Sequence, residues 1–177
     1  MIGSPAAADP SRGRVLVVDD EEAVMLTIQG ILELDGYEVI AAASGEAALE
    51  LIRTQYFDVV LTDLRLEDGM DGLDLVRELR RQSVDAVAIM LTGYASLDSA
   101  VKALREGAYD YLYKPCEVLE LRTTVSRGLE KCRLAAQLRT RVSELETAND
   151  TIRSLNLELE GRVRQIEGKR FVRVGRG

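Results

Sequence analysis

The chain has 177 residues, 46% of them hydrophobic, and a formal net charge of −7. That length suits one domain of ordinary size with an added element, and the apolar content excludes a generally disordered chain. Histidine and tryptophan are absent and aromatics are scarce, which excludes histidine acid–base chemistry, histidine-rich metal sites and an aromatic platform for single-stranded nucleic acid.

Residues 1–13, rich in Gly, Ser, Pro and Ala, read as a disordered lead-in. From Arg14 to about Arg127, apolar runs alternate with amphipathic stretches, the pattern of an α/β domain with helices on both faces of a parallel sheet. The runs are Arg14–Val18, Phe57–Thr62, Ala86–Leu91 and Tyr109–Tyr113. They are continuous rather than alternating, as expected of strands buried on both sides. Helices are expected over about 22–35, 45–55, 72–82, 97–106 and from 117 onward, with Gly36, Gly93 and Gly107 as punctuation and Ser44 as an N-cap. Five strands and five helices make residues 14–127 a doubly wound, five-stranded parallel α/β domain.

The last helix runs on beyond that domain. Leu138, Leu145, Ile152, Leu159 and Ile166 recur every seven residues, and Ala135, Val142, Asn149, Asn156 and Val163 form a second series offset from them by four and three. These are the d and a positions of a coiled coil, expected over residues 128–167 as a parallel homodimer. Asn149 and Asn156 pair side by side in that register, and Arg141 and Arg162 face Glu146 and Glu167 of a second copy. Traced backward the register meets Lys131 and Gly128, so a phase shift is expected near 132–138, where the helix passes from its own domain to the dimer seam. Residues 168–177 read as a flexible basic tail.

Charge is unevenly distributed along the chain. Residues 1–127 carry 12 Lys and Arg against 23 Asp and Glu, residues 128–167 carry seven of each, and the last ten carry four basic groups and no acid. An acidic domain repels nucleic acid at long range, so no direct nucleic-acid binding is expected. No apolar stretch approaches the roughly 20 residues of a membrane span, and the start lacks a signal-peptide core. The expected location is the cytoplasm, with no membrane attachment. Cys116 and Cys132 are too few for a disulfide framework or a zinc cluster and read as small apolar fillers.

Each of the four apolar runs ends in a residue suited to phosphoryl chemistry: Asp19 with Asp20, Asp63, Thr92, and Lys114 before Pro115. In an open parallel sheet these ends converge on the edge where ligands bind. Paired carboxylates there suit Mg2+, which takes hard oxygen ligands and keeps several waters. A third carboxylate can act as a nucleophile toward a phosphoryl group, with Thr92 and Lys114 placed to hydrogen-bond and neutralise its oxygens.

Val17-Val18-Asp19-Asp20, Leu61-Thr62-Asp63-Leu64, Leu91-Thr92-Gly93 and Tyr111-Leu112-Tyr113-Lys114-Pro115 together resemble the receiver domain of bacterial two-component response regulators. Gly93-Tyr94-Ala95 and Gly107-Ala108-Tyr109-Asp110-Tyr111 bring the resemblance nearest to receivers of nitrogen-regulatory transcriptional activators. The resemblance implies a flavodoxin-like fold and that Asp63 accepts phosphate from a sensor histidine kinase or phosphotransfer protein. It implies that Asp19, Asp20, Asp63 and the backbone carbonyl of Arg65 hold Mg2+, that Thr92 and Lys114 grip the phosphoryl group, that Tyr111 is an aromatic switch, and that the bond before Pro115 is cis. Two departures stand out. The run Leu66-Glu67-Asp68-Gly69-Met70-Asp71-Gly72 lacks the family's Met-Pro turn and is one residue longer, and Arg65 is a long cation where many relatives carry a smaller polar group. Arg65 is therefore expected to tune the lifetime of the acyl phosphate.

The reading is thus a response regulator that signals through a dimeric coiled coil and is no enzyme beyond self-phosphorylation and self-dephosphorylation. The resembled activators carry an ATPase domain that this chain is too short to contain, so it reads as a piece of a longer regulator or as one acting through its coiled coil. The alternatives are a dimerisation scaffold with a non-switching receiver, and a phosphatase with an aspartate nucleophile. The haloacid-dehalogenase type of such phosphatases needs an Asp-x-Asp motif after its first strand, which this chain lacks.

Overall fold

The computed structural model of the chain describes residues 12–66, 69–82, 85–93 and 96–174, with side chains left out at 97 and 168–174. Most of the expected lead-in lies outside these residues, as do Glu67, Asp68, Tyr94 and Ala95 of the motifs and residues 175–177 of the expected tail. Five strands and five helices alternate: β1 (Arg14–Val18), α1 (Glu22–Leu34), β2 (Glu38–Ala42), α2 (Gly45–Thr54), β3 (Val59–Thr62), α3 (Gly72–Gln82), β4 (Val87–Thr92), α4 (Leu97–Glu106), β5 (Asp110–Tyr113) and α5 (Val118–Val174).

The strands form one parallel sheet in the order β2-β1-β3-β4-β5. Strand order reverses between β1 and β3, so the crevice at their carboxyl ends is the place where such sheets bind ligands. Because side chains alternate across a strand, each strand feeds two cores. Val15, Val17, Val59, Leu61, Ile89 and Leu91 face one way, toward Ile28 and Leu32 of α1 and Leu121, Val125 and Leu129 of α5. Leu16, Val18, Val60, Ala88 and Met90 face the other way, toward α2 and α3 and toward Ala103 of α4. β1, β3 and β4 are flanked by strands on both sides, and of their residues only Arg14 escapes full burial. That accounts for their unbroken apolar runs.

β2 is the strand that the sequence pattern counts without locating. It lies at the sheet edge with a half-buried pattern, so no long apolar run marks it. β3 starts at Val59 rather than Phe57, and just ahead of it the Asp58 side chain accepts the Arg14 amide at 2.7 Å. Ser44 caps α2 by accepting the Ala47 amide at 3.1 Å, as expected. Gly107 ends α4 in the left-handed region at φ 106°, which only glycine adopts cheaply.

The chain divides into two units, one running through Ala135 and the other from Ala136 onward. The first unit therefore ends later than the expected boundary at 127. The physical reason is that Leu129 and Cys132 are 4% and 1% exposed in the core that covers β1 and β3. Cys132 adds a polar anchor, 3.2 Å from the Tyr56 hydroxyl and 3.6 Å from Asp58. The second unit is helical, and α5 continues through Val174 rather than giving way to a tail at 168. No proline interrupts it. Every residue from 137 to 167 is exposed in the single chain, including Leu138, Val142, Leu145, Ile152, Leu159, Val163 and Ile166.

Candidate functional site

At the carboxyl edge of the sheet, each site residue is placed by the backbone that leads into it. The Asp63 amide donates to Val18 O at 3.0 Å and the Asp19 amide to Ala42 O at 3.2 Å, so both acids continue the sheet ladders by one residue. The Lys114 amide donates to Thr92 O at 2.9 Å, which ties the β5 end to the β4 end. The Lys114–Pro115 bond is cis, as expected.

Asp19, Asp20 and Asp63 each offer a carboxylate oxygen within 4.8 Å of the others. Asp19 and Asp63 are buried, and Asp20 is half-buried. The Lys114 ammonium reaches over them, 2.5 Å from Asp19 Oδ2, 2.7 Å from Asp63 Oδ2 and 3.8 Å from Glu21 Oε1. The other Asp63 oxygen, Oδ1, accepts the Arg65 amide at 3.1 Å, and Asp19 Oδ1 accepts the Glu21 amide at 3.0 Å. Backbone donors and the lysine thus aim the two buried acids at one point. Thr92 is fully buried at the end of β4, beside the site.

Burial raises the Asp19 pKa above 3.8, and the hydrogen bond and charge of Lys114 only partly offset it. Burial alone would lower the Lys114 pKa, yet its hydrogen bonds and charge interactions with Asp19 and Asp63 raise it above 10.5. Such an acid cluster holds more negative charge than one ammonium balances. Three convergent carboxylate oxygens, one on a half-buried side chain open to water, are a donor set that suits Mg2+.

Of the residues singled out from the sequence, Asp19, Asp20, Asp63 and Lys114 are brought together, with Thr92 next to them. Arg65 contributes its amide to Asp63, and its side chain is exposed. Tyr111 is half-buried on β5, its hydroxyl 3.4 Å from Ser99 Oγ in the capping box at the start of α4. Two features escape sequence reasoning. The sequence offers Glu21 as an acid within reach of Arg65, but not its place as a fourth acid near Lys114. A cleft of about 500 Å³ opens beside Asp63 and Lys114, with an apolar wall of Val24, Ile28 and Ile31 from α1 facing Val118 and Leu121 from α5. The i, i+4 spacing on α1 signals that wall, but it is the same spacing that serves the core.

Residues 15–126 match the family model of the response regulator receiver domain. The alginate biosynthesis transcriptional regulatory protein AlgB of Pseudomonas putida is 36% identical over 148 residues, covering 84% of this chain and 33% of that protein. Among solved structures, NtrX from Brucella abortus in complex with ATP superposes with a TM-score of 0.69 at 32% identity, over 72% of this chain and 29% of that one. The beryllofluoride-activated NtrC4 receiver domain dimer superposes at 0.64 and 38% identity, over 67% of this chain and 98% of that one. The chain spans about a third of the length of the curated relatives it matches. Sheet order, acid cluster and family match agree, and the chain belongs to the response regulator receiver domain family of two-component systems.

Proposed function

We propose that this protein is a phosphorylation-dependent switch in which Asp63 accepts a phosphoryl group from the phospho-histidine of a sensor kinase or phosphotransfer protein. The observation that carries this reading is the Lys114 ammonium held within 2.7 Å of both Asp19 and Asp63 at the sheet's switch point. In the transfer the phosphorus–nitrogen bond of the donor breaks and a bond to an Asp63 carboxylate oxygen forms, leaving an acyl phosphate. Asp19, Asp20, Asp63 and the Arg65 carbonyl would hold Mg2+, which supplies positive charge against the repulsion between acid and incoming phosphate. Lys114 then turns from pairing two carboxylates to pairing a phosphoryl oxygen, and the Thr92 hydroxyl donates to another. Tyr111 follows Thr92 inward and gives up its place beside Ser99.

The second unit serves as a parallel dimer. Seven apolar residues exposed on one helical stripe, with Asn149 and Asn156 between them, have the spacing of a coiled-coil seam, and nothing among the described residues covers them. In the single chain Arg141 pairs with Glu144 at 2.9 Å and Arg162 with Glu158 at 3.9 Å, exposed contacts weak enough to re-pair across a dimer. Phosphorylation shifts the pairing of that seam and so reaches an output domain or partner. No described helix is long and apolar enough to cross a membrane, and a cytoplasmic location fits this role.

The test is incubation with Mg2+ and acetyl phosphate, read by intact mass. One phosphoryl group per chain is expected on the wild type and none on Asp63→Asn. Multiple turnover without a stable adduct would support the phosphatase reading. An unreactive chain that still dimerises would support the scaffold.

A further inference from the structure

The phosphoacceptor's own peptide carbonyl is an unusual burden on this fold. The β3 ladders with β1 and β4 both end at Thr62, so the carbonyl of Asp63 lies past the last ladder pair while the residue itself is only 6% exposed. A buried carbonyl needs a donor. The Thr62 hydroxyl supplies one, donating to Asp63 O at 3.0 Å from a side chain that is 1% exposed.

The opposite side of that carbonyl is closed by the first residue of α3. A Cβ at Gly72 would lie 2.0 Å from Asp63 O, 3.0 Å from Asp63 C and 3.0 Å from Met90 Cε. Two of those three atoms are backbone and cannot swing aside. The Gly72 amide also donates to Leu64 O at 3.0 Å, so α3 is stitched to the same turn. Together with the Asp63 amide on Val18 O, these contacts hold the Asp63 main chain at both its N–H and its C=O.

We infer that Thr62 and Gly72 are positioning residues for the phosphoacceptor: hydroxyl and glycine clamp the Asp63 carbonyl and so set where its carboxylate stands between Lys114 and the Arg65 amide. This rests on Asp63 being the phosphoacceptor. In-line transfer needs the attacking oxygen held to within a fraction of an ångström, and a peptide free to tilt would forfeit that. Asp19 has backbone contacts of its own, to Ala42 O and the Glu21 amide, so the clamp bears on the attacking oxygen of Asp63 and governs reaction rate more than cation affinity.

Thr62→Val keeps the buried shape and removes the hydroxyl, and Thr62→Ser restores it. In the full chain, Thr62→Val is expected to slow the maximal rate of phosphorylation by acetyl phosphate about three- to tenfold, the range one hydrogen bond supports. Mg2+ affinity, read by tyrosine fluorescence, stays within about twofold, and Thr62→Ser recovers the rate to within about twofold. Gly72→Ala is expected to lose more than Thr62→Val; if it does not fold, the Thr62 pair decides. A wild-type rate for Thr62→Val, or equal slowing in the Val and Ser variants, overturns the inference. A wild type that takes no phosphoryl group overturns the functional reading beneath it, a result distinct from either.

Discussion

α5 carries two kinds of surface on one helical backbone. From Val118 to Cys132 it buries Leu121, Val125, Leu129 and Cys132, at intervals of four, four and three, against the sheet. From 137 to 167 every residue is exposed, though apolar residues recur there just as regularly. Both stretches have helical periodicity, but among the described residues only the first is covered by its own chain. Most of a helix's stability in a protein comes from packing of its apolar face rather than from intrinsic propensity. The first stretch has that packing, and among the described residues the second does not.

The largest expected effect separates the two stretches directly. Leu129→Ala should cost the first unit about 2–5 kcal/mol in thermal or denaturant unfolding, because it opens a cavity in the core. Leu145→Ala should leave that transition within about 0.5 kcal/mol, since it touches no core, and should instead weaken self-association measured by light scattering. Equal effects of the two variants on the first unit would erase the distinction drawn along α5.

A smaller effect concerns the acid site alone. Since the Asp19 pKa is raised above 3.8 by burial, protons compete for it at a pH where an ordinary carboxylate is already ionised. Mg2+ affinity should thus fall on acidification from above that value, and the metal-free chain should gain stability from Asp19 over the same interval as pH drops toward 3.8. Lys114, raised above 10.5, contributes stability that is present below 10.5 and lost only as pH rises through its folded value. A titration of Mg2+ affinity by tyrosine fluorescence that is flat down to pH 4 would contradict this assignment.

The smallest effect is expected at Arg65. Its side chain is exposed, and its amide already serves Asp63. We expect Arg65→Ala to shorten the acyl-phosphate half-life by about two- to fivefold, in line with one exposed charge contact. An unchanged half-life removes the Arg65 side chain from the site.

Much of the site is legible in the sequence because chemistry and strand ends coincide. Asp19 and Asp63 directly follow buried strands, Thr92 ends one and Lys114 follows the half-buried edge strand β5, so locating the runs locates the residues. Thr62 and Gly72 are not legible that way. Thr62 reads as one more strand residue, and Gly72 reads as the start of a helix. Their significance lies in a carbonyl neither of them owns. The approach of Glu21 to Lys114 was hidden for a related reason, since that distance depends on how the β1 and β5 ends meet.

What the sequence determined by itself was the alternation of strands and helices, the identity of the acids and lysine at their ends, and the seven-residue repeat of the long helix. These are local in origin: burial on both faces enforces apolar runs, and helical geometry enforces the repeat. Only the tertiary structure decided that β2 takes the sheet edge, that the first unit holds α5 as far as Cys132, and that α3 closes on the Asp63 carbonyl. Those outcomes depend on contacts between residues far apart in the chain, which no local pattern encodes.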